Sequence, residues 1–181
     1  MQGHSKGIQA VTITSNGDWA ISAADDCTLK VWDIENGKEI RTLTGHEDRV
    51  WGVAVTPDGK KVISASWDSS LKIWDLATGK EIDTLKGHNA QVLSVSVFPD
   101  GSKVVSVASD RTLKVWDLEK GKAIASFSTD STLLTCTVAP DNTTIVAGDI
   151  LGCVHILQLE GMDKLEERSP YPIPYILSHD R

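Results

Sequence analysis

The chain has 181 residues, 40% of them hydrophobic and 24% charged, with a formal net charge of −7. That balance suits one soluble domain large enough to bury a core. The acidic excess, without any clustered run of Lys and Arg, argues against nucleic acid or an anionic membrane as partner, because both demand concentrated positive charge.

The opening segment, MQGHSKGIQA, carries no long apolar run and does not read as a signal peptide. No later stretch approaches the ~20 apolar residues of a membrane span. The same segment opens a pattern. Gly3-His4 is followed by the turn signal Asn16-Gly17 and then by Trp32-Asp33. These markers return as Gly45-His46, Asp58-Gly59 and Trp74-Asp75, and again as Gly87-His88, Asp100-Gly101 and Trp116-Asp117, each 42 residues after the last. Three units in one phase, without a slip, mark a repeat array.

The second unit shows the texture. VWGVAV, the turn TPDGK, VISAS, the turn SWDSS, LKIWDL, ATGK and EIDTL follow one another from Val50 onward. These are four short strands rich in Val, Ile and Leu, joined by turns whose Asp, Asn and Gly accept positive φ. No stretch of the first three units has the apolar spacing of a long helix. A fourth unit, from Ser131 to Leu159, alternates as three strands around Asp141-Asn142. It is one residue out of phase: Thr129 or Asp130 stands where His is expected, and Leu157-Gln158 replaces Trp-Asp. Cys27, Cys136 and Cys153 lie at irregular spacing without a CxxC pair. They suggest neither a zinc site nor a disulfide framework, and read as reduced thiols of a cytoplasmic protein.

Gly-His and Trp-Asp in a 42-residue unit of four strands resemble the WD-repeat (beta-transducin-like) family, over roughly residues 3 to 159. The resemblance implies an all-β fold of four-stranded antiparallel propeller blades around a central channel, the last blade degenerate. It divides one module, 1–181, into repeats 3–44, 45–86, 87–128 and 129–160 with a tail at 161–181. It also places the last strand of each repeat outermost on its blade. GDILGCVHILQLEG is similar to the closing repeat of bacterial WD-repeat arrays, some of them fused to signalling NTPases, although this chain has no nucleotide-binding segment.

The resemblance further implies one hydrogen-bonded chain of His, Ser, Asp and Trp per repeat. The sets are His4, Ser22, Asp26 and Trp32; His46, Ser64, Asp68 and Trp74; and His88, Ser106, Asp110 and Trp116. An indole N–H only donates, a hydroxyl and a neutral imidazole do both, and a carboxylate takes the last proton, so such a chain satisfies itself. Ser, His and Asp also evoke a catalytic triad. A triad needs one exposed nucleophile beside an oxyanion hole, whereas this set recurs at fixed phase, which points to bracing and not to an enzyme. The fourth unit has Ala147, Leu151 and Leu157 at the matching positions and is expected to be the least stable blade. No metal or cofactor is expected.

The family pattern places a partner-binding face at positions three and five after each His and one before each turn Asp. These are Gly7, Gln9 and Asp25; Arg49, Trp51 and Trp67; and Gln91, Leu93 and Ser109. By the same counting, Leu133, Thr135 and Ile150 are the fourth-unit equivalents. Trp51 and Trp67 are additional to the structural tryptophans, with Arg49 between them, and Trp and Arg dominate interface hot spots. Arg49, Trp51, Trp67, Gln91 and Leu93 are therefore the candidate contacts for a protein or peptide. Trp19 reads as packing near the first hairpin turn. His155 reads as surface decoration, and Glu47-Asp48 and the run Glu160 to Arg168 read as solvated faces.

Four units are few for a ring. The outer strand of the fourth must come from the tail, where YPIPYIL has prolines spaced by two, all with their missing donors on one side. The chain closes alone, pairs with a second copy into an eight-bladed ring, or is part of a longer array. Pairing of two copies is the favoured expectation. The function expected is a non-catalytic protein-interaction scaffold. The alternatives are a small-ligand or carbohydrate-binding propeller and a sensor region of a larger bacterial signalling protein.

Overall fold

The structure, a computed structural model, describes residues 3–160 and 164–167. Its strands form four antiparallel sheets of four, with no helix among the described residues. The first sheet holds β1 (Ile8–Ile13), β2 (Trp19–Ala24), β3 (Thr28–Asp33) and β4 (Lys38–Thr44). The second holds β5 (Val50–Val55), β6 (Lys61–Ser66), β7 (Ser70–Asp75) and β8 (Glu81–Lys86). The third holds β9 (Val92–Val97), β10 (Lys103–Ala108), β11 (Thr112–Asp117) and β12 (Lys122–Ser128). The fourth holds β13 (Leu133–Val138), β14 (Thr144–Asp149), β15 (Val154–Glu160) and β16 (Lys164–Glu167). Each is a simple meander, as short hairpin turns dictate. This is the architecture of propeller blades.

Burial follows from position in the sheet. The second strand of each inner blade lies between two partners and between two neighbouring sheets, so β6 is buried at five of its six residues while the outer strand β8 is mostly exposed. The innermost strands β1, β5, β9 and β13 lie side by side in that order. Three apolar cores fill the spaces between successive sheets. Ile21, Leu29 and Val31 meet Val62, Trp74 and Leu76; Ile63, Leu71 and Ile73 meet Val104 and Trp116; and Val105, Leu113 and Val115 meet Ile145 and Leu157. The first and fourth sheets share no comparable packing, so the four form an open arc.

The tail supplies the fourth outer strand, as expected, and one expectation about the tail is corrected. The fourth outer strand is Lys164–Glu167, which pairs with β15 from Leu157↔Glu167 to Glu160↔Lys164. Within the run Glu160 to Arg168, Lys164–Glu167 is thus a strand and not only a solvated face. An outermost strand pairs on one side alone, so a polar sequence can occupy it. YPIPYIL lies outside the described residues.

Candidate functional site

Within each of the first three sheets a polar chain crosses from the outer strands to the loop before the innermost one. In the second, the Trp74 indole N–H donates to Ser64 Oγ at 2.9 Å, Ser64 Oγ lies 2.7 Å from His46 Nε2, and His46 Nδ1 lies 2.6 Å from Asp68 Oδ2. A carboxylate only accepts, so Nδ1 carries the imidazole proton and Ser64 donates to Nε2. The first sheet repeats this through Trp32, Ser22, His4 and Asp26, and the third through Trp116, Ser106, His88 and Asp110. The serine hydroxyls are buried, and Ser64 and Ser106 are 0% exposed, so no substrate reaches them. These chains brace the blades.

The braces have a member that spacing did not single out. Thr28, Ser70 and Thr112 donate their hydroxyls to Asp26, Asp68 and Asp110 at 2.6–2.7 Å. A hydroxyl residue two places after each Asp was the available signal. Burial raises these carboxyls, but the hydroxyl, imidazole and backbone donors outweigh it. Asp26 is held at about 2, and Asp68 and Asp110 are also held below the ordinary range. Burial lowers the His88 imidazole despite the upward pull of Asp110. The glycine of each Gly-His pair also has a physical reason. A Cβ on Gly45 would lie 3.1 Å from the Trp74 ring, so glycine leaves the indole its place.

The fourth sheet lacks this chain and has another. Asp149 accepts hydrogen bonds from the Leu151 and Cys153 amides at 3.0 and 2.8 Å, and the Ser131 hydroxyl donates to its other oxygen. The His155 ring lies 3.3 Å from that same oxygen and 6.1 Å from the Phe127 ring. His155 is therefore a half-buried partner of Asp149 and not surface decoration.

The rim at the starts of the innermost strands is built by a recurring bulge. In the second sheet Val50 pairs with Ser66 and Gly52 with Ala65, which leaves Trp51 as the extra residue. Gln9, Leu93 and Leu134 are the extra residues of the other three. Such a bulge re-aims a side chain, and bulges gather beside functional sites. Beside it, a backbone bond joins the residue before the turn to the strand entry: Asp25 to Gly7, Trp67 to Arg49, Ser109 to Gln91 and Ile150 to Thr132, at 2.8–2.9 Å. The fourth-sheet equivalents are thus Thr132, Leu134 and Ile150, which corrects Leu133 and Thr135 by the one-residue slip.

On this rim the Trp51 and Trp67 rings stack at 4.9 Å and 23°. Arg49 does not lie between them. Its guanidinium caps the Trp67 face at 4.8 Å and reaches Asp25 of the first sheet at 4.0 Å. Both rings are half-buried and Arg49 is exposed. Trp67 Nε1 and Asp25 Oδ1 are buried without a hydrogen-bond partner. On the third sheet Gln91 is exposed and Leu93 half-buried at the matching positions. Among the described residues no group of three or more His, Cys, Asp or Glu is placed to hold a metal ion. Among the described residues no helix is long and apolar enough to cross a membrane.

The profile of the WD domain, G-beta repeat, matches residues 1–33, 37–75 and 79–117. Curated relatives match over single repeats. "Ribosome biogenesis protein bop1" of Danio rerio is 29% identical over 42 residues, 23% of this chain and 5% of that protein. "Probable E3 ubiquitin ligase complex SCF subunit sconB" of Talaromyces stipitatus is 43% identical over 42 residues, 23% of this chain and 6% of that protein. The chain therefore spans about a twentieth of the length of the curated relatives it matches. The solved structure of U3-55K, a propeller of the same repeats, superposes with a TM-score of 0.85 at 20% identity, over 92% of this chain and 53% of that one.

Proposed function

We propose, from the premise that the chain belongs to the WD-domain, G-beta repeat family, that it is a non-catalytic scaffold whose rim binds a protein or peptide through Trp51, Trp67 and Arg49. Members of this family are in general interaction scaffolds without catalytic activity. The observation that carries the reading is the stacked indole pair capped by Arg49. Trp51 sits on a bulge, both rings are only partly buried, and the second sheet that carries them has a fully bonded brace. A rigid aromatic anchor binds with little ordering cost, and Trp and Arg combine large contact area with polar reach. Gln91 and Leu93 extend the same rim onto the third sheet.

The scaffold is read as one module of four repeats and a tail, working in the cytoplasm, where the free thiols of Cys27, Cys136 and Cys153 stay reduced. It is also read as a homo-oligomer in which two copies present one continuous rim.

The test is capture. The double variant Trp51→Ala, Trp67→Ala should keep its far-UV spectrum and lose a partner that wild-type chain retains from native lysate. Unchanged capture by a folded double variant rejects this rim as the binding surface.

A further inference from the structure

All three internal junctions follow one rule: the face of each sheet that looks down the chain packs on the opposite face of the next. Both end sheets carry the matching apolar residues with no described residue packed over them. On the first sheet, Val11, Ile13 and Ile34 hold the positions that Val53, Val55 and Leu76 fill in the core between the first and second sheets. Val11 is 70% exposed, whereas its third-sheet counterpart Val95 is 8% exposed. On the fourth sheet, Val154 and Ile156 pair with Gly148 and Val146 just as Leu113 and Val115 pair with Val107 and Val105 on the third. Val154 is 66% exposed and Leu113 is 0% exposed. Uncovered apolar faces of this kind mark an interface.

We propose that the occupant of each end face is a second copy of this chain, with the fourth sheet of one copy packed on the first sheet of the other, twice, in a ring of eight sheets. This deepens the two-copy part of the reading above and rests on it. The first support is continuity: the junction repeats a contact the chain already makes three times. The second is the arc. A head-to-tail contact closes only when the sheets complete a turn, and these four form an open arc that leaves one face at each end for such a contact. The third is the completeness of the first sheet's brace. Trp32 already donates to Ser22 at 2.9 Å, so its open face needs only apolar cover.

Light scattering of the 181-residue chain should give twice its 19.6 kDa mass. Val11→Glu and Val154→Glu should each give the single-chain mass with an unchanged far-UV spectrum, since both side chains are exposed within one copy. An equimolar mixture of the two variants should recover the doubled mass, because both charges fall in one junction and leave the other wild type. A single-chain mass for the wild type at all concentrations overturns the proposal and leaves the end faces to other repeats. Loss of pairing with Val11→Glu alone indicates a first sheet packed on itself, and a mixture that stays single rejects the head-to-tail arrangement. The Trp51→Ala, Trp67→Ala variant should keep the doubled mass, so failure at the rim and failure at the end faces are told apart.

Discussion

Ser64 Oγ sits 2.9 Å from the Trp74 indole nitrogen and 2.7 Å from His46 Nε2, so one hydroxyl joins the outer half of the second sheet to its loop. Replacing it with Ala leaves a donor and an acceptor unpaired in a dry site, at about 1–3 kcal/mol each when fully unsatisfied. Ser64→Ala should therefore lower stability by about 2–4 kcal/mol in urea denaturation. If the hydroxyl works through the indole, Trp74→Phe and Ser64→Ala will be non-additive by about 0.5–3 kcal/mol. Strict additivity would remove the shared joint.

The braces also set a pH dependence. Burial lowers the proton affinity of folded His88, so below about 6.5 the unfolded chain binds more protons than the folded one. Stability should be fully present above that pH and decline as pH falls toward the lowered folded value. A second decline belongs to the carboxylates. Folded Asp26 is held at about 2 against about 3.9 unfolded, so its contribution is present above pH 4 and lost as pH falls through 2. Thermal melts from pH 8 to pH 2 should show both steps, and His88→Gln should abolish the upper one. A wild-type Tm that is constant from pH 7 to pH 5 contradicts this.

How much was legible depended on whether a feature kept the 42-residue phase. His46, Ser64, Asp68 and Trp74 were legible because their counterparts recur in register. Trp51 was legible as an extra aromatic, but its bulge was not, since the pairing shift between Val50 and Gly52 is a backbone event with no residue signature. Thr28, Ser70 and Thr112 kept the phase and were still missed, because a hydroxyl after a turn Asp is common enough to pass as turn chemistry. The Asp149 cluster was hidden by the one-residue slip. It places a carboxylate where Ala108 lies in the third sheet, so comparison with the other units suggested only a broken chain. The strand Lys164–Glu167 has only four residues and a single apolar one, Leu165, too short a pattern to read as alternation.

The fourth sheet's substitute cluster should be looser than the braces it replaces. Its His155 contact is 3.3 Å long, and the loop it holds, Ile150 to Cys153, is exposed throughout. Hydrogen exchange should be faster in β14 and β15 than in β6 and β7. Asp149→Ala should speed it further at the Leu151 and Cys153 amides, which donate to that carboxylate. Equal protection of the second and fourth sheets, or no change at those two amides, would contradict this account.

The turn after each brace Asp, like its counterpart in the fourth sheet, takes a left-handed residue. It is Cys27 at φ 67°, Ser69 at φ 70° and Arg111 at φ 66°, but Gly152 at φ 87° in the fourth sheet. A side chain in that region costs roughly 1–2 kcal/mol, and a glycine gives back roughly 0.5–1 kcal/mol of that through the entropy of the unfolded chain. The balance favours glycine. Ser69→Gly should thus raise stability by about 0.5–1 kcal/mol without touching the rim. Gly152→Ala should lower stability, since its turn then acquires the strain the other three already carry. Urea midpoints decide it: a Ser69→Gly midpoint below wild type, with Gly152→Ala unchanged, would mean that the local hydrogen bonds of the turn outweigh backbone strain.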